Sequence, residues 1–197
     1  MAGNANVSRD LRTPKCRLSY AQLLEPAPYM ENGKPKGDPM YGAELIFEAS
    51  DAENFEVHIE REGEKPGYET VNLPILLVEM AKERWGEDFN VKEAVKHGGL
   101  FWPIADGNKK AEGKKRNAEA YEGKKVIRVK SKADIIPRLF VRTSGKIAEL
   151  SRTDPTDVMK IKELFASGNY VVATLNAVAM STPQGKYLTL REFSLIH

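Results

Sequence analysis

The stretch KKVIRVKSKADIIPRLFVR, residues 124–142, decides how the chain is read. Side chains on a strand alternate between two faces. Over 125–132 the alternation sends Ile127 and Val129 one way; Arg128, Lys130 and Lys132, with Lys124 before them, go the other way. Over 137–142 it sends Leu139 and Val141 one way and Arg138, Phe140 and Arg142 the other. The pattern predicts two strands joined by a short turn. One face is apolar; the other is basic, with an aromatic between two arginines. A groove for single-stranded nucleic acid needs cations that follow phosphates and flat rings on which bases stack. A half-buried antiparallel pair with a solvated outer face has the same pattern, so both readings stand on this stretch alone. Strand phase is decisive, because a slip of one residue exchanges the faces.

Working outward, 197 residues suffice for one sizeable core. A content of 41% hydrophobic and 29% charged residues places the chain in the globular class. No run of about 18 apolar residues exists to span a membrane. Residues 1–10 are small and polar, and are expected to form a flexible arm rather than a secretory signal. Residues 11–197 are expected to form one domain. Cys16 is the single cysteine, which excludes an internal disulfide and fits the reducing cytoplasm. His58, His97 and His197 lack metal-ligand spacing, so no metal or cofactor is expected. No phosphate loop, dinucleotide fingerprint or nucleophile elbow occurs. Carboxylates are plentiful, and a metal-dependent nuclease or resolvase stays open as an alternative.

Charge is distributed unevenly. Residues 44–93 hold fourteen acidic and five basic side chains, whereas 109–146 hold thirteen basic and four acidic. Such polarity points to an anionic partner for the basic part. The acidic part either solvates surfaces or serves as a protein-interaction or DNA-mimic face.

In chain order, 11–19 reads as a strand, after which Pro26 and Pro28 end regular structure. Residues 31–39 read as a loop and 41–48 as a strand with an acidic outer face. Ser50 caps an expected helix over 51–61, followed by a loop over 62–68. Residues 72–85 form the clearest helix, with Leu73, Leu77, Val78, Ala81 and Trp85 on one face; a short helix starts at Asn90. Lys109–Asn117 reads as a flexible basic loop. A link starts at Gly145, and Asp154 starts a helix with Val158, Ile161, Leu164 and Phe165 on its apolar side. Two strands follow, 170–180 and 187–196, the second placing Tyr187, Thr189, Arg191 and Phe193 on one face. About six strands without regular helical crossovers argue for an antiparallel sheet or small barrel.

The order of local patterns resembles the tailed-phage single-stranded DNA-binding proteins with an OB fold. The stretches that carry it are Arg17-Leu18-Ser19-Tyr20 with Leu24 and Pro26, Pro39–Ala43 leading into Leu45-Ile46-Phe47, and Arg84-Trp85-Gly86. They continue with Trp102–Gly107, Tyr121-Glu122-Gly123, Ser131 and Pro137, Phe165–Val171 and Gly185–Leu190. The resemblance implies a mainly β OB-fold barrel, antiparallel and Greek key, elaborated with a helical insertion and loops. It implies non-specific, non-enzymatic binding of single-stranded DNA in phage replication, recombination or repair, within the host cytoplasm. Such proteins often end in an acidic tail, whereas Arg191–His197 carries one acid. The Glu-rich stretch 53–69 is also longer than the resemblance leads one to expect.

The candidate contacts are then Lys124, Arg128, Lys130, Lys132, Arg138 and Arg142 to phosphates, with Phe140 as the stacking ring. Trp102, Tyr121 and Tyr187 are further candidate rings that fit a core equally well. Lys109, Lys110, Lys114 and Lys115 are candidates to clamp the strand. The expected partner is single-stranded DNA, with phage or host replication proteins and a second copy of the chain as further candidates and no membrane.

Overall fold

The computed structural model describes residues 5–31, 33–60, 65–113 and 117–197. Among these, the strands are β1 (Val7–Arg12), β2 (Cys16–Glu31), β3 (Lys34–Glu48), β4 (Phe55–Ile59), β5 (Gly67–Val71) and β6 (Leu100–Phe101). They continue with β7 (Ile104–Asp106), β8 (Lys124–Lys132), β9 (Leu139–Thr143), β10 (Lys146–Glu149), β11 (Tyr170–Thr182) and β12 (Gly185–Ile196). The helices are few: α1 (Leu73–Trp85), α2 (Val91–Lys96), α3 (Gly107–Glu112) and α4 (Pro155–Leu164). Side-chain acceptors start them, at Asn90 and Asp154 as the sequence leads one to expect and at Asn72 besides. Asn72 accepts from Ile75 N, Asn90 from Glu93 N, and Asp154 from Thr156 N and Asp157 N.

The strands join one sheet, in the order β10-β9-β12-β8-β3-β2-β11-β1-β4-β5. A further ladder joins β11 to β12, so β2, β3, β8, β12 and β11 form a partial ring. Its two seams, β2–β11 and β8–β12, are ladders of two residue pairs each. Leu18, Leu45, Ile127, Leu139, Leu188 and Leu195 are fully buried inside it. Leu73, Leu77 and Ala81 of α1 join the same core.

The strand phase over 124–142 is as expected: Ile127, Val129 and Leu139 are buried, and Arg128, Lys130, Lys132, Arg138 and Arg142 are exposed. The pairing is not. β8 and β9 form no hairpin, because both edges of β8 are taken, one by β3 and the other by β7 and β12. β11 flanks β12 from end to end, and β6, β8 and β9 meet the opposite edge in turn, all parallel, at Lys186/Tyr187, Leu190/Arg191 and Leu195/Ile196. Phe140 and Arg142 are therefore displaced along β12 from the lysines of β8.

Several other expectations are corrected. The arm expected over 1–10 gives way to β1 at Val7, because Val7 and Leu11 alternate into the core beside β11; Met1–Asn4 lie outside the described residues. Pro26 and Pro28 do not end β2. Beyond Tyr20 no strand among the described residues pairs with its second edge, and an edge strand tolerates proline. β2 and β3 thus form a long hairpin through the expected loop 31–39. The expected helix over 51–61 is a 3-10 turn, Ala49–Glu53, followed by the β4–β5 hairpin. Phe55 and Val57 are buried with Glu56 between them, a period of two rather than 3.6; residues 61–64 lie outside the described set. Gly145 starts no link, since Ser144 and Gly145 form a two-residue turn with φ of 49° and 81° between β9 and β10. Phe193 does not share the face of Tyr187. A bulge opposite Thr174 and Asn176, with Glu192 at φ 52°, shifts the alternation by one and buries Phe193.

One end of the outer face of β8 is also covered. Val126 sits there yet is buried with Ile46, Ala111, Ala120 and Tyr121, with Ala105 and Ala118 packed against them. Gly107 permits this close approach, since an added Cβ would lie 2.1 Å from the Tyr121 carbonyl oxygen and 2.7 Å from that of Lys124. Backbone cannot yield as a flexible side chain does. Gly107→Ala is expected to cost about 1–3 kcal/mol, read as a lower urea midpoint; an unchanged midpoint would show that the chain is not clamped there.

Candidate nucleic-acid interface

Three of the expected phosphate contacts, Lys124, Arg128 and Arg138, are tied to carboxylates on neighbouring strands, and the clamp candidate Lys110 joins one of them from α3. Glu44 on β3 lies opposite Arg128 on β8 and is buried. Arg128 Nη2 donates to Glu44 Oε1 at 2.9 Å, Lys110 Nζ donates to the same oxygen, and the Tyr121 hydroxyl donates to Oε2 at 3.3 Å. Burial alone would push Glu44 up, but the hydrogen bonds and charges of Lys110 and Arg128 outweigh it and hold the carboxyl below its ordinary value. Lys124 pairs with its cross-strand neighbour Glu48. Arg138 grips Glu149 of β10 through Nε at 3.1 Å and Nη2 at 2.6 Å. The acidic outer face of β3 thus organises the basic face beside it. Lys130, Lys132 and Arg142 have no ion pair among the described residues. Partial burial, helped by the charge of Arg128, holds the Lys130 ammonium below its ordinary value.

A groove crosses this face. Its first half, about 450 Å³, is lined by Tyr20, Pro28, Lys36 and Gly42 among others, between the long hairpin and β8. Its second half, about 710 Å³, is lined by Phe101, Ile135, Tyr187, Thr189 and Arg191 among others. Met40, Arg128 and Lys130 line both halves, so the two adjoin at β3 and β8. Phe101 and Tyr187 are paired across β6 and β12, with ring centroids 5.9 Å apart at 32°. Phe101 is 57% exposed and Tyr20 is 65% exposed at the opposite end. Tyr20 has φ 46°, a strained backbone for an aromatic residue, and its N–H donates to Ser167 Oγ at 3.1 Å. At the floor, the buried atoms Ser131 Oγ and Thr189 Oγ1 have no hydrogen-bond partner among the described residues, which is uncommon for buried polar groups, and Arg191 Nε lies 3.6 Å from Glu192 Oε1.

Of the expected site residues, the groove gathers Arg128, Lys130, Lys132 and Tyr187. Tyr121 is not a stacking ring: it is buried, its hydroxyl 2.8 Å from Ser19 Oγ. Trp102 is half-buried and lines a separate surface cleft with Val78 and Phe89, where it packs on the core. Phe140 is partly covered by the Arg138 guanidinium, 4.9 Å from its ring centroid. Lys109 is exposed on α3, a helix where a flexible loop was expected, started by Asp106 accepting from Asn108 N. Lys114 and Lys115 lie outside the described residues. Tyr20, Phe101, Arg191 and Met40 are additions. The alternation of Leu100 and Phe101 and the shared face of Tyr187 and Arg191 were legible signals for two of them. Tyr20 gave none, since its position depends on a local positive φ.

Cys16 is buried, which pushes its thiol up to about 12, so it holds no reactive thiolate near neutrality. Among the described residues no three of His, Cys, Asp and Glu form a group able to hold a metal ion. No helix among them is long and apolar enough to cross a membrane.

The fold is shared with solved single-stranded DNA-binding proteins of a bacteriophage. The single-stranded DNA-binding protein from bacteriophage Enc34 in complex with ssDNA matches 95% of this chain over 84% of its own, with a TM-score of 0.60 at 18% identity. Its C-terminal truncation matches 95% of this chain over 83% of its own at the same score and identity. A third Enc34 structure matches 95% over 79%, with a TM-score of 0.57 at 17% identity. No protein-family model matches the chain, and no curated protein matches it by sequence.

Proposed function

We propose that the chain is a single-stranded DNA-binding protein that coats its ligand without altering it covalently. The observation that carries this reading is the pair of adjoining grooves, with exposed Tyr20 in one, exposed Phe101 in the other, and Lys130, Lys132 and Arg191 at or beside their shared wall. The partial ring supports an OB barrel spanning residues 11–197, with β1 as an added strand at its start. Its second and third strands in chain order are β3 and β8, the face an OB fold offers to oligonucleotides. The Enc34 likeness adds a fold on which such binding is built. In this reading bases stack on Phe101, Tyr187 and Tyr20 while phosphates follow the cations. The protein acts by mass action, drawing melted DNA toward the single-stranded state, in phage replication, recombination or repair inside the host cell.

A fluorescence titration with labelled single-stranded and duplex oligonucleotides at two salt concentrations tests it. Tighter single-strand binding is expected, with a log–log salt slope of about −2 if three phosphates are neutralised at ~0.7 each. Equal affinity for duplex, or an affinity indifferent to salt, would sink the reading.

A further inference from the structure

Past the bulge at Glu192, the outer face of β12 continues to Ile196 and ends in a second cavity of about 260 Å³. Val172 and Ile196, cross-strand neighbours on β11 and β12, supply apolar surface to it. Arg12 from β1, Lys15 from the link to β2, Arg142 from β9 and Tyr170 from β11 surround them. Tyr170 is 52% exposed, and Lys15 Nζ lies 5.4 Å from its ring centroid. Arg12 shares its charge with Glu56 at 3.2 Å, whereas Lys15 and Arg142 have no ion pair among the described residues. His197 completes the lining, and no Asp or Glu side chain is part of it.

Single exposed cations or rings need no explanation. Here four strands and a link bring three cations around one exposed ring and an apolar floor. That combination fits a flat base joined to phosphates. The cavity also lies on the same strand as the groove. Arg191, which lines the groove, and Ile196, which lines the cavity, are five residues apart on β12, about 16 Å at ~3.3 Å per residue.

We propose that this cavity is a second contact for the same single strand, with a base on Tyr170 and phosphates on Lys15 and Arg142. The inference rests on the reading of the groove and extends its footprint beyond the face of β3 and β8. It also gives Arg142 a role away from Phe140 and Arg138.

The test uses the full chain and two labelled oligothymidylates, of about 6 and about 20 nucleotides, chosen to fall near and beyond the ends of the range of OB site sizes. Tyr170→Ala/Arg142→Ala is expected to bind the short oligonucleotide as the wild type does. It is expected to bind the long one roughly 10- to 100-fold more weakly, with the salt slope reduced by about 0.7. Lys15→Glu, an independent exposed change, is expected to act in the same direction, and unchanged urea midpoints would exclude misfolding. Wild-type affinity of these variants for the long oligonucleotide overturns the inference and leaves the groove standing. An equal loss at both lengths also overturns it. If the wild type binds neither oligonucleotide, the reading of the groove falls and takes this inference with it.

Discussion

Phe101→Ala is expected to weaken single-stranded DNA binding by about 1–3 kcal/mol, roughly 5- to 150-fold. The ring is well placed for such an effect. Leu100 is buried and anchors β6, so the next side chain must point outward, and Phe101 remains 57% exposed against Tyr187. An exposed ring contributes little to folding, so the unfolding free energy from a urea titration should move by no more than about 0.5 kcal/mol. The salt slope should stay the same, because no charge is removed. Duplex binding should change little, because paired bases are stacked within the helix and offer the ring no free face. Phe101→Tyr should retain most of the affinity, since the flat surface remains. Labelled DNA is the proper reporter: Trp85 and Trp102 line neither half of the groove. Unchanged affinity in Phe101→Ala would place the path of the strand elsewhere.

The sequence carried strand phase well and strand pairing poorly. Phase is local: Ile127, Val129 and Leu139 repeat at intervals of two, and burial follows. Pairing depends on which edges are already taken, and nothing between 124 and 142 states that β12, some 50 residues later, occupies the place a hairpin partner would fill. The same distinction governs the site. Basic residues were visible, but their ion pairs with Glu44, Glu48 and Glu149 arise from register between strands distant in sequence or across a turn. Phe193 failed for a subtler reason, because one inserted residue at a bulge reverses every inward assignment after it. Pro26 and Pro28 misled because proline excludes a central strand but not an unpaired edge.

Glu44→Gln should separate stability from binding, because the two are expected to move in opposite directions. The carboxylate is buried beneath Lys110, Arg128 and Tyr121. Replacing it removes two charge-assisted hydrogen bonds, each ordinarily worth about 1.5–3 kcal/mol. The Arg128 side chain is 50% exposed, so water recovers much of its share. The amide that replaces the carboxylate would also keep an oxygen for one donor, so a net loss of about 1–2 kcal/mol is expected. The folded carboxyl is held below its ordinary value. Its contribution is therefore present above the unfolded value of about 4.3 and is lost as pH falls through the lower folded value. The stability gap between wild type and variant should narrow on acidification below about pH 4.3; a constant gap would show that ionised Glu44 is not its source. Binding should respond differently. Arg128 lines both halves of the groove, and losing the carboxylate leaves its guanidinium available to a phosphate and removes a negative charge from the floor. The variant should bind single-stranded DNA more tightly, with a salt slope steeper by up to about 0.7. A general loosening of the fold would weaken binding along with stability. A less stable protein that binds more tightly would therefore identify Glu44 as a residue that holds the groove together while competing with DNA for Arg128.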